Sequence, residues 1–108
     1  MSLNINVEET KQLVDSGSPL RLIDVREADE FAICRIEGAE LIPLTTFAEE
    51  FSQRLPDPEE RIVLYCHHGM RSMRAAEYLA KRGYTNVSSM GGGIDAWSLV
   101  IDPSVPRY

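Results

Sequence analysis

The residues best suited to chemistry lie in one short stretch, residues 66–72, which reads CHHGMRS. It follows an apolar run that predicts a buried strand, and it precedes a predicted amphipathic helix. At such a junction several backbone N–H groups turn inward, and together with the positive end of the helix they favour an anion at the centre of the loop. Cys66 lies in that field and Arg71 reinforces it, so we expect the thiolate to be favoured over the thiol. Because a thiolate is a nucleophile, the sequence predicts nucleophilic chemistry at Cys66.

The neighbours of Cys66 distinguish a reactive thiol from a structural one. A lone cysteine at the end of a core strand is often only a small apolar residue. His67 and His68 do not suit an inert buried turn, and an imidazole there can hydrogen-bond an incoming anion. Gly69 is expected to supply a positive φ or to let a ligand approach the backbone, and Ser72 to be the N-cap of the following helix. These residue types favour a reactive thiol in a substrate pocket.

No metal ion or organic cofactor is predicted. The side chains of adjacent residues such as His67 and His68 diverge, and no carboxylate stands at a known ligand spacing from them. The glycines at 91–93 lack the spacing of a dinucleotide-binding motif, so we interpret them as a tight turn.

The elements that must position the loop alternate between strand and helix along the chain. Short apolar runs with β-branched residues predict strands, and apolar residues three and four apart predict helices. The predicted strands cover residues 20–25, 39–42, 61–65 and 87–90, and the predicted helices cover 7–16, 28–33, 47–55, 72–82 and 94–99. This order predicts an α/β domain with a mostly parallel sheet, whose ligand sites collect where strands end, here after Val25 and Tyr65. Asp24 and Arg26 lie at the first of these ends and are expected to form a structural ion pair.

Local signals mark the ends and faces of the predicted helices. Asn6, followed three residues later by Glu9, is typical of an N-cap with its capping-box partner, and Gly17 stands where the first helix should end. The acidic pairs, among them Asp29 and Glu30, are interpreted as solvated helix faces.

Length and composition restrict the class of protein. A chain of 108 residues suits one domain, residues 1–108, and is too short for two. Its 17 acidic and 11 basic residues give a net charge of -6, so no nucleic-acid partner and no anionic membrane surface is expected. No apolar run approaches the roughly 20 residues that cross a bilayer, and the N-terminal stretch lacks the features of a signal peptide. Two cysteines cannot build a disulfide scaffold, so we expect a cytoplasmic protein.

The loop and its flanks resemble a known family. CHHGMRS resembles the active-site loop of the rhodanese family of sulfurtransferases. IDVREADEF is similar to that family's Asp-x-Arg segment with its acidic helix, and RIEGAELIPL is similar to the stretch that leads to its next strand. GMRSMRAAEYLAKRGYTNVSSMGGGIDAW is similar to its C-terminal half. The resemblance implies a rhodanese-like α/β fold, a central five-stranded, mostly parallel sheet flanked by helices, with Cys66 as the residue that carries a persulfide.

The length of the loop separates two activities within this resemblance. Arg71 lies five positions after Cys66, and this Cys-x4-Arg spacing is that of the sulfur-transferring members, whereas related dual-specificity phosphatases have Cys-x5-Arg. A tighter ring of N–H groups suits a sulfur atom on Cys66, while a phosphoryl group needs a wider cradle. Where relatives often have Gly-His-Ile, this chain has Cys34-Arg35-Ile36, and Arg35 is expected at the pocket rim. The residues expected to bind substrate are His67, His68, Gly69, Met70, Arg71, Ser72 and Arg35.

The resemblance implies a sulfurtransferase. The Cys66 thiolate takes a sulfane sulfur from a donor such as thiosulfate and passes it to cyanide, to a thiol or to the cysteine of an acceptor protein. Apart from the resemblance, Cys34 could resolve the persulfide as a disulfide, but we favour its interpretation as only a small side chain, as a lone loop cysteine more often is. Two alternatives stay open: a non-catalytic sulfur carrier or protein-binding module, and a Cys-dependent phosphatase or arsenate reductase, which the loop length disfavours.

Overall fold

The computed structural model describes residues 3–108, in which strands and helices alternate as the sequence predicts. The strands, in chain order, are β1 (Asn4–Ile5), β2 (Arg21–Asp24), β3 (Glu40–Leu41), β4 (Ile62–Tyr65) and β5 (Val87–Met90). The helices are α1 (Val7–Asp15), α2 (Ala28–Ile33), α3 (Phe47–Arg54), α4 (Met70–Ala80) and α5 (Gly93–Val100), and a short 3-10 helix, Leu44–Thr46, precedes α3. The predicted domain includes residues 1 and 2, which lie outside the described residues.

All five strands are parallel and form one sheet in the order β1-β5-β4-β2-β3. The predicted α/β architecture with a five-stranded sheet is therefore confirmed. β4 is central, and Tyr65 at its end pairs with Asp24 at the end of β2. Because parallel strands end at the same edge of a sheet, the segments after β2 and after β4 lie side by side. These are the two segments for which the sequence predicts functional residues.

The two faces of the sheet carry separate apolar layers. Along β4, Ile62 and Leu64 belong to one buried cluster and Val63 and Tyr65 to the other, as the alternation of side chains in a strand requires. Both faces are covered, which explains why β4 is an unbroken apolar run. Cys66 continues the alternation onto the layer of Ile62 and Leu64.

The first helix and the first strand differ in how readily the sequence shows them. Asn6 caps α1 with the expected box: its side chain accepts from the Glu9 N–H at 2.7 Å, and its own N–H donates to the Glu9 carboxylate at 3.1 Å. Gly17 follows the helix with a φ of +73°. β1 has only two residues, too few to show an alternating pattern, and the sequence does not predict it.

Within residues 3–108, no helix is both long enough and apolar enough to span a lipid bilayer.

Candidate active site

The loop after β4 surrounds the sulfur of Cys66 with donors. The N–H of Gly69 points at Sγ from 3.1 Å and the N–H of Ser72 from 3.4 Å, while the Ser72 hydroxyl oxygen, 3.5 Å away, accepts from the thiol. Ser72 is held in turn by Ser89 of β5, whose hydroxyl lies 2.7 Å from its own. Backbone N–H groups at the start of α4, which has 11 residues, add the positive end of the helix dipole. The arrangement stabilises negative charge on this sulfur.

Gly69, and not Ser72, is the N-cap of α4. Gly69 has a φ of +114°, a conformation that favours glycine, and α4 begins at Met70. The prediction of a positive φ at Gly69 is confirmed, and the prediction that Ser72 caps the helix is wrong. Because the N-cap is Gly69, three residues before Ser72, Ser72 lies within the first turn. Its hydroxyl bonds back to the Gly69 carbonyl at 3.2 Å, and its N–H is left to face Cys66.

The triple-glycine turn, residues 91–93, supports the loop from behind. The N–H of Ile94 donates to the Cys66 carbonyl at 2.9 Å, and the N–H of Asp95 donates to the His67 carbonyl at 3.2 Å. Gly93 has a φ of +61°, and a Cβ at this position would lie 2.5 Å from the Cys66 carbonyl oxygen. No other residue therefore fits at position 93 while the loop keeps its place. The predicted tight turn is present, and it positions the backbone of the nucleophile and of the residue that follows it.

Cys66 lies at the bottom of a surface pocket. The residue is only 1% exposed, yet it lines a pocket of about 340 Å³. The other lining residues are His67, His68, Met70, Arg71 and Arg74. The sulfur is thus covered by the loop on most sides, but it is reachable from the mouth of the pocket.

Arg71 is paired with a carboxylate that the sequence did not single out. Its Nη1 and Nη2 lie 2.6 and 2.9 Å from Oε1 and Oε2 of Glu30, which is on α2. Hydrogen bonds from Arg71 lower the pKa of Glu30 from 4.5 to about 2, against the opposing effect of burial. The same hydrogen bonds raise the pKa of Arg71. The two-bond pair fixes the guanidinium at the pocket and offsets its positive charge.

Tyr108 covers one side of the loop. Its hydroxyl lies 2.8 Å from the Glu30 carboxylate and 2.8 Å from Nη1 of Arg26, so it links α2 to the turn after β2. Its ring stacks on His67 with centroids 3.9 Å apart and an interplanar angle of 6°. Burial, followed by the proximity of His68, lowers the pKa of His67. The neutral ring is therefore the favoured form of His67 at this mouth.

Comparisons with known proteins agree with this geometry. The family described as Rhodanese-like domain matches residues 6–99. The chain belongs to this rhodanese family. It is 29% identical to the thiosulfate sulfurtransferase GlpE of Pseudoalteromonas translucida, over 96% of each chain. Among solved structures, the human single-domain sulfurtransferase TSTD1 superposes with a TM-score of 0.81 at 26% identity, covering 93% of this chain and 98% of that one.

Other relatives of this rhodanese domain are longer proteins. The adenylyltransferase and sulfurtransferase MOCS3-1 of Zea mays is 35% identical over 112 residues, which is 99% of this chain and 24% of that protein. The chain thus spans about a quarter of the first curated relatives that it matches. A structure of SSP1007 from Staphylococcus saprophyticus superposes with a TM-score of 0.80 at 28% identity, covering 99% of this chain and all of that one.

Asp24 and Arg26 of the rhodanese domain form the expected ion pair. The Arg26 Nε lies 3.0 Å from both Asp24 oxygens, and its Nη2 lies 2.6 Å from one of them. Both side chains are fully buried, and Arg26 also donates to the Cys34 carbonyl at 2.6 Å. Neither residue lines the Cys66 pocket. Their contacts stabilise the turn after β2, and this turn positions α2, with Glu30, next to the loop that follows β4.

Arg35 and Cys34 lie away from the nucleophile. The Arg35 guanidinium stacks 4.3 Å from the centre of the Phe31 ring, and both Cys34 and Arg35 line a separate pocket of about 510 Å³. The expectation that Arg35 stands at the rim of the Cys66 pocket is therefore wrong, since the chain leaves α2 in an extended conformation at Cys34 and the Phe31 ring holds the guanidinium elsewhere. Cys34 belongs to the apolar layer on the other face of the sheet from Cys66. A disulfide between the two would need a large movement of the backbone.

Four residues at the site were missed by sequence reasoning: Glu30, Arg74, Asp95 and Tyr108. Arg74 had a usable signal, because a residue three positions after Arg71 lies on the same helix face. Glu30 was assigned to a solvated face, and nothing local shows that it meets Arg71. Asp95 and Tyr108 are distant from the loop in sequence, and only the folding of the chain brings them to the site.

Proposed function

We propose that this rhodanese domain transfers a sulfane sulfur through a persulfide on Cys66. The donor is a compound such as thiosulfate, and the acceptor is cyanide, a thiol or the cysteine of another protein. The observation that carries the proposal is the pair of N–H groups, from Gly69 and Ser72, aimed at the Cys66 sulfur from 3.1 and 3.4 Å. The relatives named as sulfurtransferases support it at the level of the family.

The reaction has two balanced steps. In the first, the Cys66 thiolate attacks the outer sulfur of thiosulfate, an S–S bond forms on Cys66, and sulfite leaves with the electron pair of the bond that breaks. In the second, the acceptor attacks the outer sulfur of the persulfide, and Cys66 leaves as a thiolate. Backbone N–H groups at the start of α4 stabilise the negative sulfur before the first step and after the second.

The charges around the pocket assign different roles to its arginines. Arg71 is tied to Glu30, so it organises the loop more than it attracts an anion. Arg74 and the two imidazoles also line the pocket and can meet an anionic donor at its mouth. We therefore propose Arg71 as a positioning residue and Arg74 as the cation that the donor meets.

The proposal is tested by mass spectrometry of the intact protein. Incubation with thiosulfate should add the mass of one sulfur atom. Cys66→Ser should abolish both this adduct and the formation of thiocyanate from cyanide. Cys34→Ser is the matched control, because Cys34 is also a free buried thiol but lies on the other face of the sheet. An adduct that survives in Cys66→Ser and disappears in Cys34→Ser would overturn the proposal.

A sulfur carrier for a partner protein is the second candidate. Met70 is 74% exposed beside the pocket, and an exposed, flexible methionine suits a protein contact. The relatives named as both adenylyltransferase and sulfurtransferase combine two activities in one longer protein. A thiosulfate-to-cyanide rate no higher than that of an equal concentration of a free thiol would favour the carrier.

A phosphatase reaction uses the same nucleophile with a longer loop. The Cys-x4-Arg spacing and the close approach of the Gly69 and Ser72 N–H groups favour sulfur over a phosphoryl group. Hydrolysis of an aryl phosphate that depends on Cys66 would reverse this preference. We also propose a reducing, cytoplasmic setting, because the mechanism needs Cys66 as a free thiol.

A further inference from the structure

Three potential metal ligands lie together beside the Cys66 pocket, which two of them line. They are His67, His68 and Asp95, and one ligand atom from each lies within 4.8 Å of the others. The His68 Nε2 is 3.9 Å from the Asp95 Oδ2. Two imidazoles and a carboxylate form one of the donor sets that bind Zn²⁺ in proteins.

The two imidazoles are parallel although they are adjacent in sequence. Their ring centroids are 3.9 Å apart with an interplanar angle of 29°. The expectation that these side chains diverge is therefore wrong. Tyr108 stacks on the other side of His67, so the middle ring of the stack is held on both faces. Because a metal ion lies in the plane of each imidazole that binds it, His68 must turn out of this stack when both histidines bind one ion, while Tyr108 keeps His67 in place.

The carboxylate is brought to the imidazoles by the backbone. The N–H of Asp95 donates to the His67 carbonyl, and the triple-glycine turn starts α5 directly behind the loop. Metal ligands at about 2.0–2.2 Å from Zn²⁺ are about 3.4 Å from each other in a tetrahedral site. Because the atoms already lie within 4.8 Å, side-chain rotation is enough to complete three of the four positions.

We propose that His67, His68 and Asp95 form a binding site for Zn²⁺, with a fourth position open to water. Cys66 is not a ligand in this site, because its sulfur is not among the clustered ligand atoms and instead accepts from the Gly69 and Ser72 N–H groups. The ion sits at the mouth and narrows the approach to that sulfur.

A neighbouring arginine competes with the metal. Arg107 holds Asp95 through Nε, 2.8 Å from Oδ1, and its charge favours the free carboxylate over the metal-bound one. Zn²⁺ must therefore replace Arg107 as the partner of the Asp95 carboxylate. Removing the Arg107 charge should therefore tighten Zn²⁺ binding, whereas removing a ligand should weaken it.

Titration calorimetry with Zn²⁺ alone tests the site, in a buffer free of chelators and with the thiols reduced. The unmodified chain should bind one ion. Asp95→Asn and His68→Gln should each weaken binding about 10-fold or more, since even partners outside the coordination sphere commonly cost that much. Arg107→Gln should bind more tightly. Asp29→Asn removes an exposed charge outside the cluster and should leave affinity within about twofold, because long-range surface charges are screened by salt.

Cys66→Ser separates this site from ordinary thiolate binding. We expect it to retain Zn²⁺ affinity. Loss of binding in Cys66→Ser together with retention in Asp95→Asn would overturn the proposal, as would weaker or unchanged binding in Arg107→Gln.

A second measurement tests the position of the ion without using sulfur transfer. The rate at which iodoacetamide alkylates Cys66 should fall when Zn²⁺ is added to the unmodified chain, and it should recover when a chelator is added. Asp95→Asn should show little of this protection. Equal protection in both proteins would place the metal on the thiolate and refute the proposed site.

Discussion

Two arginine–carboxylate pairs lie at the same edge of the sheet and differ mainly in their contact with water. Asp24 and Arg26 are fully buried, whereas Glu30 and Arg71 keep 17% and 32% of their side chains exposed at the mouth of the pocket. Tyr108 bonds to both pairs through one hydroxyl. One arginine–carboxylate pair thus lies in the core of the protein, and the other lies at the site.

The difference between the two pairs follows from the cost of burial. A charge without a partner in the interior is very unfavourable, so Asp24 and Arg26 must stay together if the turn after β2 is to fold. A pair that water reaches contributes little to stability, because water solvates each member when the other is absent. Glu30 and Arg71 can therefore be altered to change the electrostatics of the site while the fold is retained.

The largest expected effect comes from breaking the buried pair. Asp24→Asn keeps the size of the side chain and leaves the Arg26 charge buried without its counter-charge, so the free energy of unfolding should fall by about 3–5 kcal/mol. Glu30→Gln should cost about 0–1 kcal/mol. Urea unfolding of the two variants measures both losses of unfolding free energy. Equal losses would show that burial does not distinguish the pairs.

The acid side of the stability profile tests the exposed pair. Hydrogen bonds from Arg71 lower the pKa of Glu30 from 4.5 to about 2, so its contribution to stability is present above pH 4.5 and is lost as the pH falls toward 2. The groups facing it, Arg71, Arg26 and Tyr108, stay protonated over this range, and the pKa of Tyr108 is itself raised to about 12, mainly by burial. The difference in unfolding free energy between the unmodified chain and Glu30→Gln should therefore narrow through this window.

Arg71→Gln is the matched control for that profile. It removes the hydrogen bonds that lower the pKa of Glu30. The difference in unfolding free energy between the unmodified chain and Arg71→Gln should therefore narrow over the same pH window. An unchanged difference down to pH 2 would mean that Glu30 does not titrate as the pair requires.

The smallest expected effect concerns substrate binding and rests on the proposed sulfur transfer. Glu30→Gln releases the Arg71 charge, so KM for thiosulfate should fall about two- to fivefold, which corresponds to an interaction of up to about 1 kcal/mol. Arg71→Gln should raise KM. Steady-state kinetics at low and high salt measure both changes, and salt should reduce them. Shifts in the same direction would show that Glu30 acts by holding Arg71 in place and not by offsetting its charge.

Features encoded by neighbouring residues could be predicted from the sequence. The capping box of Asn6 and Glu9 is complete within one helical turn, and the loop from Cys66 to Arg71 contains its own glycine and its own helix start. Central strands were also visible, because burial on both faces makes their residues uniformly apolar. The family resemblance supplied the role expected for Cys66.

Errors arose where two local rules competed or where contacts cross the fold. Ser72 is a good N-cap by type, but the positive φ of Gly69 starts the helix earlier. Arg35 stacks on Phe31 only because the helix ends at Ile33 and the chain turns at Cys34, and no local rule places that turn. Glu30 and Asp95 come from α2 and α5, and only the parallel order of the strands brings them to the loop.

The contact between Gly93 and the carbonyls of Cys66 and His67 restricts how this architecture can diversify. A loop lengthened by one residue to hold a larger group would move those carbonyls, and the glycine turn behind them would no longer fit. Insertions near the nucleophile should therefore be tolerated only together with altered lengths or residues at the start of the last helix, so two segments far apart in sequence must vary as one unit.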